Sequence, residues 1–385
     1  MTERCDIAII GGGPVGTALA LALRDSGLNI TVLEAHKFEE QNADPRALAL
    51  SYGSRLLLDK LGVWKQIEQV SAIKTIQVSQ KDTPGIALLY AAEMKVPELG
   101  YVLPYIALQA ALHKALLHTN ITYLEGATVS RLSSTTDGAT LSYQHAGREL
   151  QLDTCLAVVA DGGKLLEISH PPKVSEYGQS AVIAHITCTT PQTDTAFERF
   201  TAQGPVALLP YKKGYEIVWT GSHEQAKEML QWDEATFLAE LHRHFGDAVG
   251  EFLSVGKRSS FPLRLKRAPD TTLPHTVLIG NAAQTLHPVA GQGFNMGVRD
   301  AWELARMILR GQPETLGSAA MLSSYRRARC LDRNAGIGFT DGLVRIFSND
   351  LPLLNGGRGW AISVLERLPL AKRFVAKRMM FGANG

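Results

Sequence analysis

At 385 residues the chain exceeds the roughly 100 to 200 of an ordinary domain, so two interlocked domains or one large one are expected. Its 39 Lys and Arg stand against 37 Asp and Glu, a near balance that excludes a general nucleic-acid binder. Four scattered cysteines (Cys5, Cys155, Cys188, Cys330), none in a CxxC pair, exclude a zinc or disulfide framework and suit a reducing, cytoplasmic setting.

The first apolar run begins within a few residues of Met1, which leaves no room for a signal or transit peptide. Residues 6–34, DIAIIGGGPVGTALALALRDSGLNITVLE, read as strand, glycine turn, Ala/Leu-rich helix and second strand. Gly11, Gly13 and Gly16 fit GxGxxG: the first allows a tight turn, the second lets backbone approach a pyrophosphate, and the third lets helix and strand pack closely. Glu34 ends the second strand about 20 residues on, where a carboxylate can accept from an adenosine ribose. The bland alternative is a glycine-rich turn in an ordinary α/β sheet. This unit leaves NAD and FAD open and disfavours NADP, whose 2′-phosphate Glu34 would repel.

Arg46 then opens an apolar run read as helical, placed to reach a phosphate or a flavin edge. Short strands are expected over 73–99, a helix over 104–118, and a strand at ITYLEGATVSRL. A hairpin is expected over 143–152, followed by a buried strand, CLAVVADGG, that ends in Asp161-Gly162. An acid and a glycine at a strand's carboxyl end suit a ligand site in an open sheet, although a plain turn looks the same. Residues 174–265 alternate like antiparallel strands, interrupted by one amphipathic helix at 235–245.

From Thr271 to Val298 the chain carries no Asp, Glu, Lys or Arg. A membrane span is excluded there by Pro274, His275, Asn281, Gln284, His287, Pro288, Gln292 and Asn295, which hydrocarbon could not satisfy. The run reads instead as a strand-to-helix connection, with the helix VRDAWELARMILRG following Gly297. Backbone amides over 290–294 could stabilise negative charge on a flat polar ring, and Asn281 could bond a polyol. Two cradles far apart in sequence suit an extended FAD better than NAD. His287 is the titratable residue nearest the second cradle, either catalytic or capping the turn before Pro288. Tyr211 and His185 are possible pocket residues in the sheet region.

From Arg326 onward 11 basic residues face four acidic ones. WAISVLERLPLAKRFVAKRMMF sets Ile362, Leu365, Leu368, Leu370, Phe374 and Met379 among Arg367, Lys372, Arg373, Lys377 and Arg378. That basic amphipathic pattern suits an anionic membrane surface, or a helix packed on the body with a solvated basic face.

These residues, nearly the whole chain, resemble the FAD-dependent aromatic hydroxylases built like 4-hydroxybenzoate hydroxylase. GNAAQ with HPVAGQGFNMGVRDA, and FERFTAQGPVALLP, are most similar to the ubiquinone-biosynthesis branch, in particular to its members acting on 2-octaprenyl-6-methoxyphenol. The resemblance implies an α/β (α+β) fold: a Rossmann-like FAD-binding domain of the 4-hydroxybenzoate hydroxylase type with an inserted antiparallel β-sheet substrate domain. On that pattern 1–72, 100–172 and 268–330 form the FAD-binding domain, 73–99 and 173–267 the substrate domain, and 331–385 a basic helical region.

By position the resemblance puts Gly11, Gly13, Val15 and Gly16 on the pyrophosphate and Glu34 on the adenosine ribose. It puts Arg46 and Gln109 beside FAD, Val129 against adenine, and Asp161 and Gly162 near the cofactor. Asn281 would contact the ribityl chain, while Pro288, Gly291, Gln292, Gly293, Phe294 and Asn295 would line the isoalloxazine. After Asp161-Gly162 the chain lacks the family's later Ser and Arg, a segment linked to NAD(P)H docking.

The activity implied is hydroxylation of a polyprenyl phenol with bound FAD, transient NAD(P)H and O2, through a flavin C4a-hydroperoxide. The setting implied is peripheral, on the inner face of the plasma membrane, with possible assembly among pathway proteins. Two other readings stay open: a soluble hydroxylase of a small aromatic acid, with Arg199 or Arg264 holding the carboxylate, and a non-hydroxylating flavoprotein.

Overall fold

The computed structural model describes residues 3–38, 46–83, 85–287, 291–347, 362–364 and 366–382. The amino-terminal strand Glu3–Ile10 lies between Ile30–Glu34 and Arg148–Val159, parallel to both. Thr122–Glu125 extends this sheet beyond Ile30–Glu34, and Thr276–Leu278 extends it beyond Arg148–Val159. Ile7, Ile9, Val32, Leu156 and Val158 face helices that supply Leu19, Leu108 and Leu304. Ala8, Ile10, Leu33, Ala157 and Val159 pack on the opposite side against Leu141 and Tyr143. Both faces are covered, so these strands read as continuous apolar runs instead of alternating ones.

Arg148–Val159 is a single 12-residue strand, where the sequence divides it into a hairpin arm and a separate strand. Its first half pairs antiparallel with Ala139–His145 and its second half parallel with Glu3–Ile10. The polar-to-apolar change marks the passage from sheet edge to sheet centre, not a break.

The second sheet is built around the 16-residue strand Lys173–Cys188, flanked by Gly214–Ser222 and Ser259–Arg267. Gly204–Tyr211, Thr195–Thr201, Thr75–Gln80 and Ile86–Tyr90 continue it, so two segments distant in sequence share one sheet. Val182, Ile186, Ile217 and Trp219 on one face meet Phe237 and Leu241 of Glu234–Phe245 and Met229 of a second helix, His223–Gln231. The sequence announces only one helix there. His223–Gln231 buries just Ala226 and Met229, so its apolar period is faint, and its capping box between Ser222 and Gln225 is the signal that marks it.

A three-stranded sheet, Ala47–Ser51, Gly100–Pro104 and Ser71–Ile73, joins the two layers. The Ala/Leu run after Arg46 is thus a strand, and its helix begins only at Tyr52, capped by Ser51. The helix of the charge-free run also begins earlier than its apolar period suggests, spanning Gln292–Arg310. Among the described residues no helix is long and apolar enough to cross a membrane.

Candidate functional site

The glycine turn is fixed by close backbone approach. Gly11 has φ +106°, and a Cβ there would lie 2.7 Å from the Ala160 carbonyl oxygen. The helix Pro14–Ala22 starts at Gly13 with no side-chain cap and no acid in its first turn. A Cβ on Gly13 would meet nothing within 4 Å, so open space lies before these amides. A helix amino terminus in that state attracts an anion.

Glu34 is only 7% exposed; one carboxylate oxygen accepts from Gly12 N–H at 2.6 Å and the other from His36 N–H at 3.0 Å. It therefore steadies the turn from the end of the second strand. Its own carbonyl accepts from Ala127 N–H at 2.9 Å, which brings Val129 to the same strand end. Asp161 spends both carboxylate oxygens on its own turn, accepting from Gly163 and Leu165 N–H at 2.8 Å each. Gly162 and Gly163 take φ +81° and +89°, and the turn lies against Asn281 and Ala282.

The second cradle is tied down by buried side chains. Asp300, 3% exposed, accepts from Gly280 N–H at 3.1 Å, from Gln284 Nε2 at 2.9 Å, and from Arg329 Nε at 2.7 Å. Asn295, 2% exposed, accepts from Ser51 N–H at 2.8 Å and donates to the carbonyls of Ala49 at 3.0 Å and Gly291 at 2.6 Å. Gly291 caps the helix in the left-handed region with no side-chain bond, and the first turn carries no acid. Beyond Gly293 there is open space, and Phe294 packs on the core. Pro288, and the amide of Ala290, lie outside the described residues.

The two cradles meet at Val15. A Cβ on Gly297 would fall 2.8 Å from Val15 Cγ2, and one on Gly280 3.2 Å from Val15 Cγ1. Two uncapped helix amino termini therefore converge from residues nearly 280 apart in numbering, as an extended dinucleotide with a polar ring requires.

Arg46 is exposed, its guanidinium 5.6 Å from the Tyr105 ring centroid and 5.5 Å from that of Phe261. Tyr105 N–H donates to the Arg46 carbonyl at 2.9 Å, and Gln109 is buried one turn farther along that helix. His287 is 1% exposed, with the Tyr177 ring edge-on at 5.3 Å. Burial lowers its pKa to about 4, so it is neutral at pH 7. His185 bonds Glu216 at 3.1 Å and lies edge-on to Tyr211 at 5.9 Å.

Beside Ser51, Gln292 and Asn295 lies a cavity of about 70 Å³, walled by Ile73, Ile76, Leu89, Leu99, Met379 and Met380. The carboxyl-terminal helix Pro369–Phe381 forms one side, and Gln292 Nε2 donates to the Met379 carbonyl at 3.2 Å. Lys372 and Met379, read in sequence as part of an interfacial pattern, face inward. Lys372 is 5% exposed and pairs with Glu93 at 3.1 Å and Glu366 at 3.2 Å. Glu366 also accepts from Leu88 N–H at 2.7 Å, which fastens this helix to the edge strand Ile86–Tyr90.

Uncapped amides, open space beyond two glycines and a ring cradle without formal charge all fit FAD. The family described as an FAD binding domain matches residues 4–334. The chain belongs to this family of FAD-binding proteins. It is 30% identical to the 3-demethoxyubiquinol 3-hydroxylase of Escherichia coli (strain K12), over 97% of this chain and 97% of that protein. It is 32% identical to the ubiquinone hydroxylase UbiL of Rhodospirillum rubrum, over 97% and 89% respectively. The p-nitrophenol 4-monooxygenase PnpA of Pseudomonas putida DLL-E4 shares the fold, with a TM-score of 0.80 at 16% identity over 99% of this chain and 100% of that one. Within the family the chain falls in the FAD-dependent ubiquinone hydroxylase branch and is a monooxygenase, with the hydroxybenzoate hydroxylase type of fold.

Asp300, Arg329, Ser51 and the inward face of the terminal helix are absent from the residues that sequence reasoning singles out. Asp300 was visible just beyond the charge-free run, as the first carboxylate after it. Its partner Arg329 lies 29 residues on, and no local spacing marks the pair.

Proposed function

We propose that this enzyme hydroxylates the ring of a polyprenyl phenol, 2-polyprenyl-6-methoxyphenol, in ubiquinone biosynthesis, with NAD(P)H as transient reductant and O2 as oxidant. The observation that carries this reading is the cavity beside Gln292 and Asn295, which among the described residues no charged side chain lines. A neutral phenol with an apolar chain suits such walls, whereas an aromatic acid needs a cation. Neither arginine considered for that role supplies one. Arg199 donates to the Phe245 carbonyl at 3.0 Å on the helix-covered face, and Arg264 is an exposed partner of Glu176 at 3.1 Å.

Gly11, Gly13, Val15 and Gly16 would hold the pyrophosphate, with Glu34 and Val129 at the adenosine. Gly291, Gln292, Gly293 and Phe294 would border the ring, with Asn281 toward the ribityl chain and Asn295 bracing the loop through Ala49 and Ser51. Arg46, Gln109 and the Asp161-Gly162 turn stand around that path. The bound flavin supplies hydride acceptance and oxygen activation. The chain supplies amide dipoles, which need no reorganisation during reaction, and apolar walls that keep water out. His287, buried and neutral, suits support of the loop better than proton transfer to substrate.

The terminal helix supports contact with a bilayer. Leu370 and Phe374 are 82% and 60% exposed and share its outer face with exposed Arg373 and Lys377. A helix of this kind lies at an anionic surface, here the inner face of the plasma membrane, while Met379 and Met380 reach the cavity from its other side.

Deleting the gene and identifying the lipid that accumulates tests the reading. Accumulated 2-polyprenyl-6-methoxyphenol supports it. A demethoxyubiquinol would move the reaction to another ring position, and an unrelated lipid would refute it.

A further inference from the structure

FERFTAQGP enters the second sheet as the strand Thr195–Thr201, whose two faces differ. Phe197 packs with the helix-covered core and Arg199 reaches the Phe245 carbonyl on that side. Ala196 points the opposite way, into a cluster with Ile73, Val102 and Tyr211 of the layers that carry the site. Alternation puts Glu198 on the face of Ala196.

The register defines its surroundings. Glu198 stands between Val78 and Ala207, and the same row continues through Val218 to Ile183. The row on one side begins at Ile76, which lines the cavity beside Gln292. The row on the other side ends at Phe261, which lies under Arg46. Glu198 is therefore a lone carboxyl in an apolar strip, bracketed by groups at the ring site. Among the described residues it has no hydrogen bond and no ion pair.

It keeps part of its surface accessible, yet protein surrounds it so closely that burial alone raises its pKa to about 7. The titratable groups sharing this face are Tyr211 on Gly204–Tyr211 and the His185–Glu216 pair on the two central strands. The His185–Glu216 pair lies in the neighbouring row and Tyr211 one row farther, and Thr75–Gln80 presents no charged group between Thr75 and Gln80.

We propose that Glu198 is the catalytic residue that accepts the phenol proton, a role that rests on the functional reading above. The phenol O–H bond breaks heterolytically and its proton passes to a Glu198 carboxylate oxygen. The electron pair stays on the phenol oxygen and enriches the ring carbon that takes up oxygen from O2, with NAD(P)H as the reductant. After reaction the proton leaves Glu198 for solvent. A carboxyl poised near neutral pH is suited to give and take a proton under these conditions.

The test uses the full chain with FAD bound and a short-chain prenylated methoxyphenol as probe. Phenol affinity is read from the flavin spectrum between pH 6 and 8, without turnover, for wild type and Glu198→Gln. If the phenol donates to ionised Glu198, wild-type affinity rises about tenfold across that range and the variant's changes less than twofold. Turnover of Glu198→Gln falls about a hundredfold or more. Glu198→Asp recovers the pH dependence of binding in part. Equal pH dependence in wild type and Glu198→Gln, with the phenol bound in both, overturns the assignment alone. Wild type that binds no phenol at any pH overturns the functional reading and the assignment together. Wild type that binds with the expected pH dependence but forms no hydroxylated product refutes only the reaction.

Discussion

Replacing Gly297 by Ala tests the meeting of the two cradles, because general helix chemistry and this structure give opposite signs. Within a helix, Gly to Ala ordinarily stabilises by about 1 kcal/mol. Here the new Cβ would lie 2.8 Å from Val15 Cγ2 and 3.2 Å from Gly280 Cα. Carbon contacts settle at about 3.5–4.0 Å, so the helices must part by about 1 Å. Overpacking of this kind costs about 1–3 kcal/mol, which cancels or exceeds the helical gain. The separation falls between the pyrophosphate turn and the ring loop, so FAD affinity should drop about tenfold or more, equivalent to about 1.4 kcal/mol. Val15→Ala in the same chain removes the clashing methyl groups and should recover most of that loss, a coupling of about 1–2 kcal/mol. Titration of the apoprotein with FAD, followed by flavin fluorescence, measures both. Gly297→Ala with affinity within twofold of wild type, or strictly additive effects of the two changes, would refute the geometry.

Asn295→Ala removes three hydrogen bonds, one buried and two partly buried, and strands Ser51 N–H, so it should destabilise by about 3 kcal/mol in denaturant melts, with weaker FAD retention. His287 has a depressed folded pKa near 4, so its contribution to stability is complete above its unfolded value near 6.5 and is lost as pH falls toward 4. That amounts to about 3 kcal/mol, and His287→Phe should flatten this part of the stability profile measured by denaturant melts. Leu370→Asp with Phe374→Asp should abolish sedimentation with anionic vesicles and leave FAD binding unchanged; undiminished sedimentation would remove the membrane role.

Much of the nucleotide domain was legible because its signals are local. GxGxxG, the apolar runs on either side and Glu34 all lie within 6–34, and the lack of charge over 271–298 marks a neutral cradle by itself. What stayed hidden depends on partners far along the chain. Asn295 accepts from a backbone amide 244 positions away, and nothing near it announces that it would clamp Ala49 and Ser51. The strand Ala47–Ser51 has the small and aliphatic composition of a helix, and only pairing with Gly100–Pro104 decides for strand. The terminal helix shows the limit most clearly. Its sequence gives an amphipathic pattern, but Glu93 and Glu366 turn Lys372 inward, leaving Leu370, Phe374, Arg373 and Lys377 outward.

The central claim, hydroxylation of a polyprenyl phenol on bound FAD, is tested most directly by isotopic turnover. Purified full-length protein with FAD is given 2-polyprenyl-6-methoxyphenol, NAD(P)H and ¹⁸O-labelled O2, and the lipid product is weighed by mass spectrometry. The account predicts one labelled oxygen on the ring for each NAD(P)H consumed. Consumption of NAD(P)H with hydrogen peroxide as the only oxygen product, or an unlabelled ring, would contradict it.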